Sequence, residues 1–244
     1  MRGNVRIKID GRDLAAEKGL TILEASRQAD IEIPTLCFDE ALEPYAACRL
    51  CVVELSSKGA KEGTKRFVAS CVYPVEEGAE VRTLTDEILC HRKLLVELYL
   101  ARSPRARKIR ELADTLGVGE PRYRFEETHN CVLCGMCVRA CNEIVGAGAI
   151  GFSQRGMKRK VEPPFHRGSA ACISCGTCTT ICPTEAITLK EIDRVKSVHV
   201  VGEGAYAGPC SVCADFDVVP KLPENYVGWL LEKVSGKPVA KPVK

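Results

Sequence analysis

The chain opens on a period-two pattern. Val5, Ile7 and Ile9 are separated by Arg6 and Lys8, the alternation expected of a half-buried strand. Asp10-Gly11 then supplies a two-residue turn pair, so the pattern predicts a β-hairpin. Thr21-Ile22-Leu23-Glu24 has capping-box spacing and predicts a short helix reaching about Ala29, with Pro34 barring any continuation. Val52, Val53 and Leu55 precede a Gly/Lys-rich stretch from Lys58 to Lys65, and Phe67 and Val68 follow it; these β-branched and aromatic residues predict paired strands. Thr85, Asp86 and Glu87 open a longer helix with Ile88, Leu95, Leu98 and Tyr99 on one face. Past it lies a basic run, Arg102-Ser103-Pro104-Arg105-Ala106-Arg107-Lys108-Ile109-Arg110, read as a solvated helix start. The last stretch, Lys233 to Lys244, is rich in Lys, Pro and Val and is expected to be extended.

Cysteine changes this picture. Of 15 cysteines in 244 residues, eight form two runs, Cys131, Cys134, Cys137, Cys141 and Cys172, Cys175, Cys178, Cys182, the second closed by Pro183. Each run reads C-x2-C-x2-C-x3-C, the ferredoxin-type spacing for a 4Fe-4S cluster, and the second repeats the first at an offset of 41 residues. Zinc also takes Cys-x2-Cys pairs, but structural zinc sites draw two pairs from separate knuckles, whereas three cysteines at this spacing wrap one tight loop around a single cluster. In two-cluster ferredoxins the fourth cysteine of each run serves the other run's cluster. The expectation is therefore one 4Fe-4S site from Cys131, Cys134, Cys137 and Cys182, and a second from Cys172, Cys175, Cys178 and Cys141. Gly135 and Gly176 each follow the second cysteine of a run, where the missing Cβ lets backbone N–H groups approach sulfur.

The formal charge of +3 counts these cysteines as neutral. A cluster with four thiolates carries about −2, so three clusters would bring the chain to about −3. The basic balance is thus no argument for nucleic acid, and no helix-turn-helix or aromatic-interleaved basic surface is legible. No run approaches the ~18 apolar residues that span a bilayer. The start, Met1-Arg2-Gly3-Asn4, shows no apolar leader, and the reading is a cytoplasmic chain with reduced thiols.

The N-terminal cysteines, Cys37, Cys48, Cys51 and Cys71, have a less diagnostic spacing, C-x10-C-x2-C-x19-C. Their context is more specific. Ile31-Glu32-Ile33-Pro34-Thr35-Leu36-Cys37, Ala47-Cys48-Arg49-Leu50-Cys51-Val52-Val53-Glu54 and Ala69-Ser70-Cys71-Val72 resemble the 2Fe-2S domain that opens the large iron-sulfur subunit of respiratory complex I. The same domain opens the diaphorase small subunit of NAD-reducing hydrogenases and the electron-transfer region of iron-only hydrogenases. His129-Asn130-Cys131 through Asn142-Glu143, with Gly148-Ala149-Ile150-Gly151-Phe152 downstream, is similar to the same proteins. The resemblance runs from about Val5 to Leu189. It implies an α+β chain: a β-grasp 2Fe-2S ferredoxin domain over residues 1–83 with Cys37, Cys48, Cys51 and Cys71 as ligands, a helical linker over 84–125, a two-cluster 4Fe-4S ferredoxin-like domain over 126–195, and a C-terminal extension over 196–244.

Between these regions the family carries a further module whose His and three Cys ligands hold another 4Fe-4S cluster. The basic run stands in its place and offers no metal ligand, so that cluster is expected to be absent while its helices remain. Three cysteines are left over: Cys90 in the helix, and Cys210 with Cys213 after Gly208-Pro209. If the C-terminal stretch folds back, these three, with His91 nearest as a fourth ligand, would form an additional cluster or zinc site. Gly146-Ala147-Gly148-Ala149-Ile150-Gly151 fits G-x-G-x-x-G only superficially, because it follows a cysteine loop instead of joining a strand to a helix. His129, His166 and His199 pair with no nucleophile or carboxylate in a recognisable motif; His129 adjoins the first run and stands open as a tuning group or an ordinary loop residue.

These features fit an electron-relay subunit whose expected partners are a flavin/NAD(P)-binding subunit and a catalytic subunit of hydrogenase or formate dehydrogenase type. The alternative is a free-standing, polyferredoxin-like carrier. Two kinds of cluster in one chain favour the relay, since a diffusing carrier needs only one kind of centre. The chain ends about 60 residues after its last cubane cysteine, which reads as a separate subunit and not a fusion to a catalytic domain.

Overall fold

The computed structural model describes residues 3–56, 65–125, 129–163 and 171–187. The described residues fall into two compact units, one within 3–38 and 44–125, the other within 39–43 and 129–187.

The first unit is a β-grasp. Strand β1 (Asn4–Ile9) pairs antiparallel with β2 (Arg12–Glu17), with Ile9 opposite Arg12 across a two-residue turn. Asp10 and Gly11 sit there at φ 47° and 82°, both positive, as a turn matched to the twist of a hairpin requires. Helix α1 (Ile22–Gln28) starts at the expected capping box: the Glu24 N–H donates to Thr21 Oγ1, and the Thr21 N–H donates to Glu24 Oε2. Strands β3 (Val52–Ser56) and β4 (Arg66–Ala69) pair antiparallel on either side of the Gly/Lys-rich stretch. The sheet order is β2-β1-β5-β3-β4. Its central strand is β5 (Glu80–Arg82), parallel to β1 and antiparallel to β3. Three residues long with only Val81 facing inward, β5 carries too little periodicity to be read from sequence.

Ile9, Ile22, Leu23, Val53, Leu55 and Val81 are at most 1% exposed. Each contributes about 1.5–3 kcal/mol on burial, and together they fix the sheet against α1 in a core that also takes in Cys51 and Cys71. Helix α2 (Asp86–Arg102), capped by Thr85, is followed by α3 (Arg107–Leu116), which stops at left-handed Gly117. The inward face of α2 differs from the apolar pattern. Leu98 is exposed, and the buried residues include Ile88, Arg92, Val96 and Glu97. A charged residue can replace an apolar one there because carbonyls and an arginine wait for it, as described below.

The second unit is built from turns and short elements. It holds α4 (Met136–Arg139), continued by a π-helical turn (Ala140–Ile144), then hairpin β6 (Gly151–Ser153) and β7 (Lys160–Glu162), and α5 (Thr177–Thr180). Segment 39–43 joins it through Glu143, whose carboxylate accepts from the Glu43 N–H at 2.9 Å and from Arg139 Nε at 3.0 Å; Arg139 also donates to the Glu43 carbonyl.

Candidate iron-sulfur centres

Cys37, Cys48, Cys51 and Cys71 are all at most 2% exposed and lie in loops of the β-grasp unit. They come as two pairs. The Cys51 and Cys71 sulfurs are 3.4 Å apart. Cys37 and Cys48 interact through their side chains, and the Cys48 N–H donates to Cys37 Sγ at 3.3 Å. The Leu36 N–H donates to Cys48 Sγ at 3.4 Å. Hydrogen bonding to Cys37 draws the Cys48 thiol down to about 6, and hydrogen bonding to Cys71 draws Cys51 down to about 7. Their partners move the other way: the same hydrogen bonds, reinforced by burial, push Cys37 and Cys71 above the ordinary thiol range. Two thiolates on one tetrahedral ion at ~2.3 Å lie ~3.8 Å apart, close to the spacing of the Cys51–Cys71 pair.

The backbone around these thiols is strained. Ala46 and Arg49, flanking Cys48, hold φ 56° and 57°, a left-handed conformation that costs a non-glycine residue about 1–2 kcal/mol. Helix α2 braces the loop. Arg92 donates from Nε to the Leu50 carbonyl at 3.0 Å and from Nη2 to the Val52 carbonyl at 3.2 Å, and Tyr99 Oη donates to the Cys48 carbonyl at 2.8 Å. Neither residue was singled out as functional by the sequence, because an arginine and a tyrosine at helical spacing carry no ligand signal.

In the second unit the two runs repeat their backbone as well as their spacing. Gly135 (φ 80°) and Gly176 (φ 73°) are left-handed residues opening α4 and α5. Positive φ, more than the room left by a missing Cβ, is what requires glycine there. The fourth cysteine of each run lies within electrostatic reach of cysteines of the other run. The charges that act on Cys137 are those of Cys134, Cys131 and Cys182; those acting on Cys178 are Cys175, Cys141 and Cys172; Cys141 responds to Cys175 and Cys172. Burial is the first cause in each case, raising Cys137 and Cys141 above the ordinary thiol range and Cys178 to about 12. Backbone N–H groups reach the sulfurs: Leu133 to Cys131 at 3.4 Å, Ala149 to Cys141 at 3.3 Å, and Ala186 to Cys182 at 3.3 Å.

The glycine-rich stretch now has a structural role. Gly146 and Gly148 are left-handed, and the chain they turn brings the Ala147 N–H to the Cys141 carbonyl at 3.0 Å and the Ala149 N–H to its sulfur. It wraps a cysteine. Cys90 is exposed on α2; Cys210 and Cys213 lie outside the described residues, as do His166 and His199. Among the described residues, no three His, Cys, Asp or Glu side chains close on a point as the ligands of a single ion do. The donor sets consist of thiols, with N–H groups directed at sulfur, and this chemistry fits iron-sulfur clusters.

Comparison with known proteins agrees. Residues 2–86 match the family described as 2Fe-2S iron-sulfur cluster binding domain, and residues 130–186 match the 4Fe-4S dicluster domain. The chain is a 2Fe-2S plus 4Fe-4S dicluster protein, like the N-terminal parts of several oxidoreductase and hydrogenase subunits. An NADH-quinone oxidoreductase subunit of Rhizobium meliloti (strain 1021) is 31% identical over 75% of this chain and 24% of its own length. The NADP-reducing hydrogenase subunit HndD of Solidesulfovibrio fructosivorans is 31% identical over 76% of this chain and 36% of its own. A putative formate dehydrogenase of Staphylococcus aureus (strain USA300) is 24% identical over 93% of this chain and 24% of its own. This chain therefore spans about a quarter to just over a third of the length of these relatives. A crystal structure of an NAD+-reducing NiFe hydrogenase in the H2-reduced state shares the fold, with a TM-score of 0.63 and 24% identity over 77% of this chain and 98% of that one. The chain is an iron-sulfur electron-transfer region related to subunits of such enzymes, and among its described residues no helix is long and apolar enough to cross a membrane.

Proposed function

We propose that this chain is the electron-relay subunit of a cytoplasmic multisubunit oxidoreductase, carrying single electrons between a flavin/NAD(P)-binding subunit and a catalytic subunit of hydrogenase or formate dehydrogenase type. Cys37 with Cys48, and Cys51 with Cys71, would hold a 2Fe-2S cluster. Cys131, Cys134, Cys137 and Cys182 would hold one 4Fe-4S cluster, and Cys172, Cys175, Cys178 and Cys141 the other. Such clusters, when bound, supply one-electron redox chemistry at each site.

The residues of the chain supply the rest. Buried loops exclude water from the first four thiols, N–H groups directed at sulfur favour added negative charge, and crossed fourth cysteines would tie the two runs together. The observation that carries the reading is the coexistence, in one chain, of four buried cysteines in the β-grasp unit and two cysteine runs at ferredoxin spacing, within segments that match a 2Fe-2S and a 4Fe-4S dicluster family. Relatives described as subunits of NADH and NADP oxidoreductases support the partner class. The match to the putative formate dehydrogenase leaves only about a fourteenth of this chain uncovered, so it runs through Cys210 and Cys213, which keeps the formate side of the class in view.

The test is coupling in the purified native complex. Cys48→Ala is expected to stop NAD(P)+-linked turnover while leaving the catalytic subunit's activity with artificial dyes intact. A variant that couples at the normal rate, or a native chain that purifies alone as a freely exchanging carrier, would contradict the relay.

A further inference from the structure

Arg92 is 5% exposed, and its guanidinium lies against the loop that carries Cys48 and Cys51. Its two hydrogen bonds end on the carbonyls of Leu50 and Val52, the residues on either side of Cys51. Seven positions further along α2, Tyr99 takes the Cys48 carbonyl. One helix therefore holds the carbonyls of residues 48, 50 and 52, every second residue of a loop whose Arg49 is left-handed. Those bonds offset part of the cost of the loop's backbone.

The charge has a further consequence. An arginine stays protonated in proteins, and a buried cation is costly unless negative charge faces it. The charges that act on Arg92 are those of Cys51 and Asp10. Asp10 already accepts from the Thr83 N–H and hydroxyl at 2.8 and 2.6 Å. Both hydrogen bonds of Arg92 go to neutral carbonyls, so its positive charge is answered by Cys51 first and by the Asp10 carboxylate second.

We propose that Arg92 is a positioning residue that also sets the reduction potential of the 2Fe-2S centre, its buried positive charge favouring the state that carries one more electron. The proposal rests on the ligand assignment given above. Reduction adds one electron and no atom to the thiolate-bound group, so its net charge becomes one unit more negative, and a fixed cation beside Cys51 stabilises that product over the oxidised form. Tyr99 is neutral and acts on position alone.

The experiment is a redox titration of the full holo-chain, following the 2Fe-2S signal by low-temperature electron spin resonance. Arg92→Gln keeps a donor for the carbonyls but removes the charge. It is expected to lower the potential by about tenfold in the reduction equilibrium, which is 59 mV for one electron. Arg92→Lys is expected to stay within threefold of wild type, as is Tyr99→Phe, and the 4Fe-4S signals to stay in place in all three. An Arg92→Gln potential equal to wild type, or a Lys variant that falls as far as Gln, would overturn the proposal. If Arg92→Gln does not assemble, Arg92→Lys decides: a potential within threefold of wild type supports the charge, and a tenfold drop contradicts it. A wild-type chain with no 2Fe-2S spectrum would refute the ligand assignment itself, which is a separate failure.

Discussion

Leu133 and Ser174, 41 positions apart in different cysteine runs, adopt the same left-handed backbone, with φ 57° and 55°. Each precedes a cysteine and then a left-handed glycine, Gly135 or Gly176. Alternating left-handed residues turn successive N–H groups toward one side, the concave arrangement that binds anions and iron-sulfur groups. The internal repeat is thus one of conformation as well as ligand spacing.

Gly135→Ala and Gly176→Ala should each cost about 1–2 kcal/mol, because a Cβ is strained at positive φ. Gly119→Ala, at a position with open space and no positive φ, should change stability by less than about 0.5 kcal/mol. Anaerobic denaturant unfolding of the holoprotein measures all three. Equal losses at the three positions would contradict the conformational role of the paired glycines.

Crossed ligation predicts an exchange of phenotypes. Cys141→Ala should remove the spin-resonance signal of the cluster held by Cys172, Cys175 and Cys178, and Cys182→Ala should remove that of Cys131, Cys134 and Cys137. Loss of its own run's signal in each variant would refute the crossed sets.

Glu97 on α2 accepts from the Arg122 N–H, Nε and Nη2 at 2.7–2.8 Å, and these bonds hold its carboxyl at about 2. A depressed carboxyl contributes stability above its unfolded value, about 4.3, and loses it only as pH falls toward 2. The difference in thermal stability between wild type and Glu97→Gln should therefore be flat from pH 8 to pH 5. A difference that does not shrink as pH falls from about 4.3 toward 2 would show that the carboxyl titrates in its ordinary range.

Cys90 is exposed, so iodoacetamide should alkylate it in the folded holoprotein while the twelve cluster cysteines are protected. Mass spectrometry of the labelled peptides reads this directly. A protected Cys90, released together with Cys210 and Cys213 by a chelator, would instead reveal an additional metal site.

The sequence foretold those parts of the fold that depend on local chemistry. The Asp10-Gly11 turn, the Thr21–Glu24 cap and the strands flanking residues 57–64 each need particular residue types at short range, and each was legible. β5 was not, because three residues with one inward side chain leave no periodic trace. Nor was the buried face of α2: Arg92 and Glu97 violate the apolar pattern, and what justifies them is the carbonyls of Leu50 and Val52 and the side chain of Arg122, distant in sequence. Cysteine spacing exposed the candidate ligands, whereas the braces that shape their loops depend on tertiary contacts that no spacing encodes.

The central claim is that one chain carries a 2Fe-2S and two 4Fe-4S clusters. Iron and acid-labile sulfide, determined on the anaerobically purified full chain alongside zinc, test it most directly. The account predicts about 10 iron and about 10 sulfide per chain, with no stoichiometric zinc. About 14 iron would mean a further cluster, and stoichiometric zinc without sulfide would contradict the electron-transfer reading as a whole.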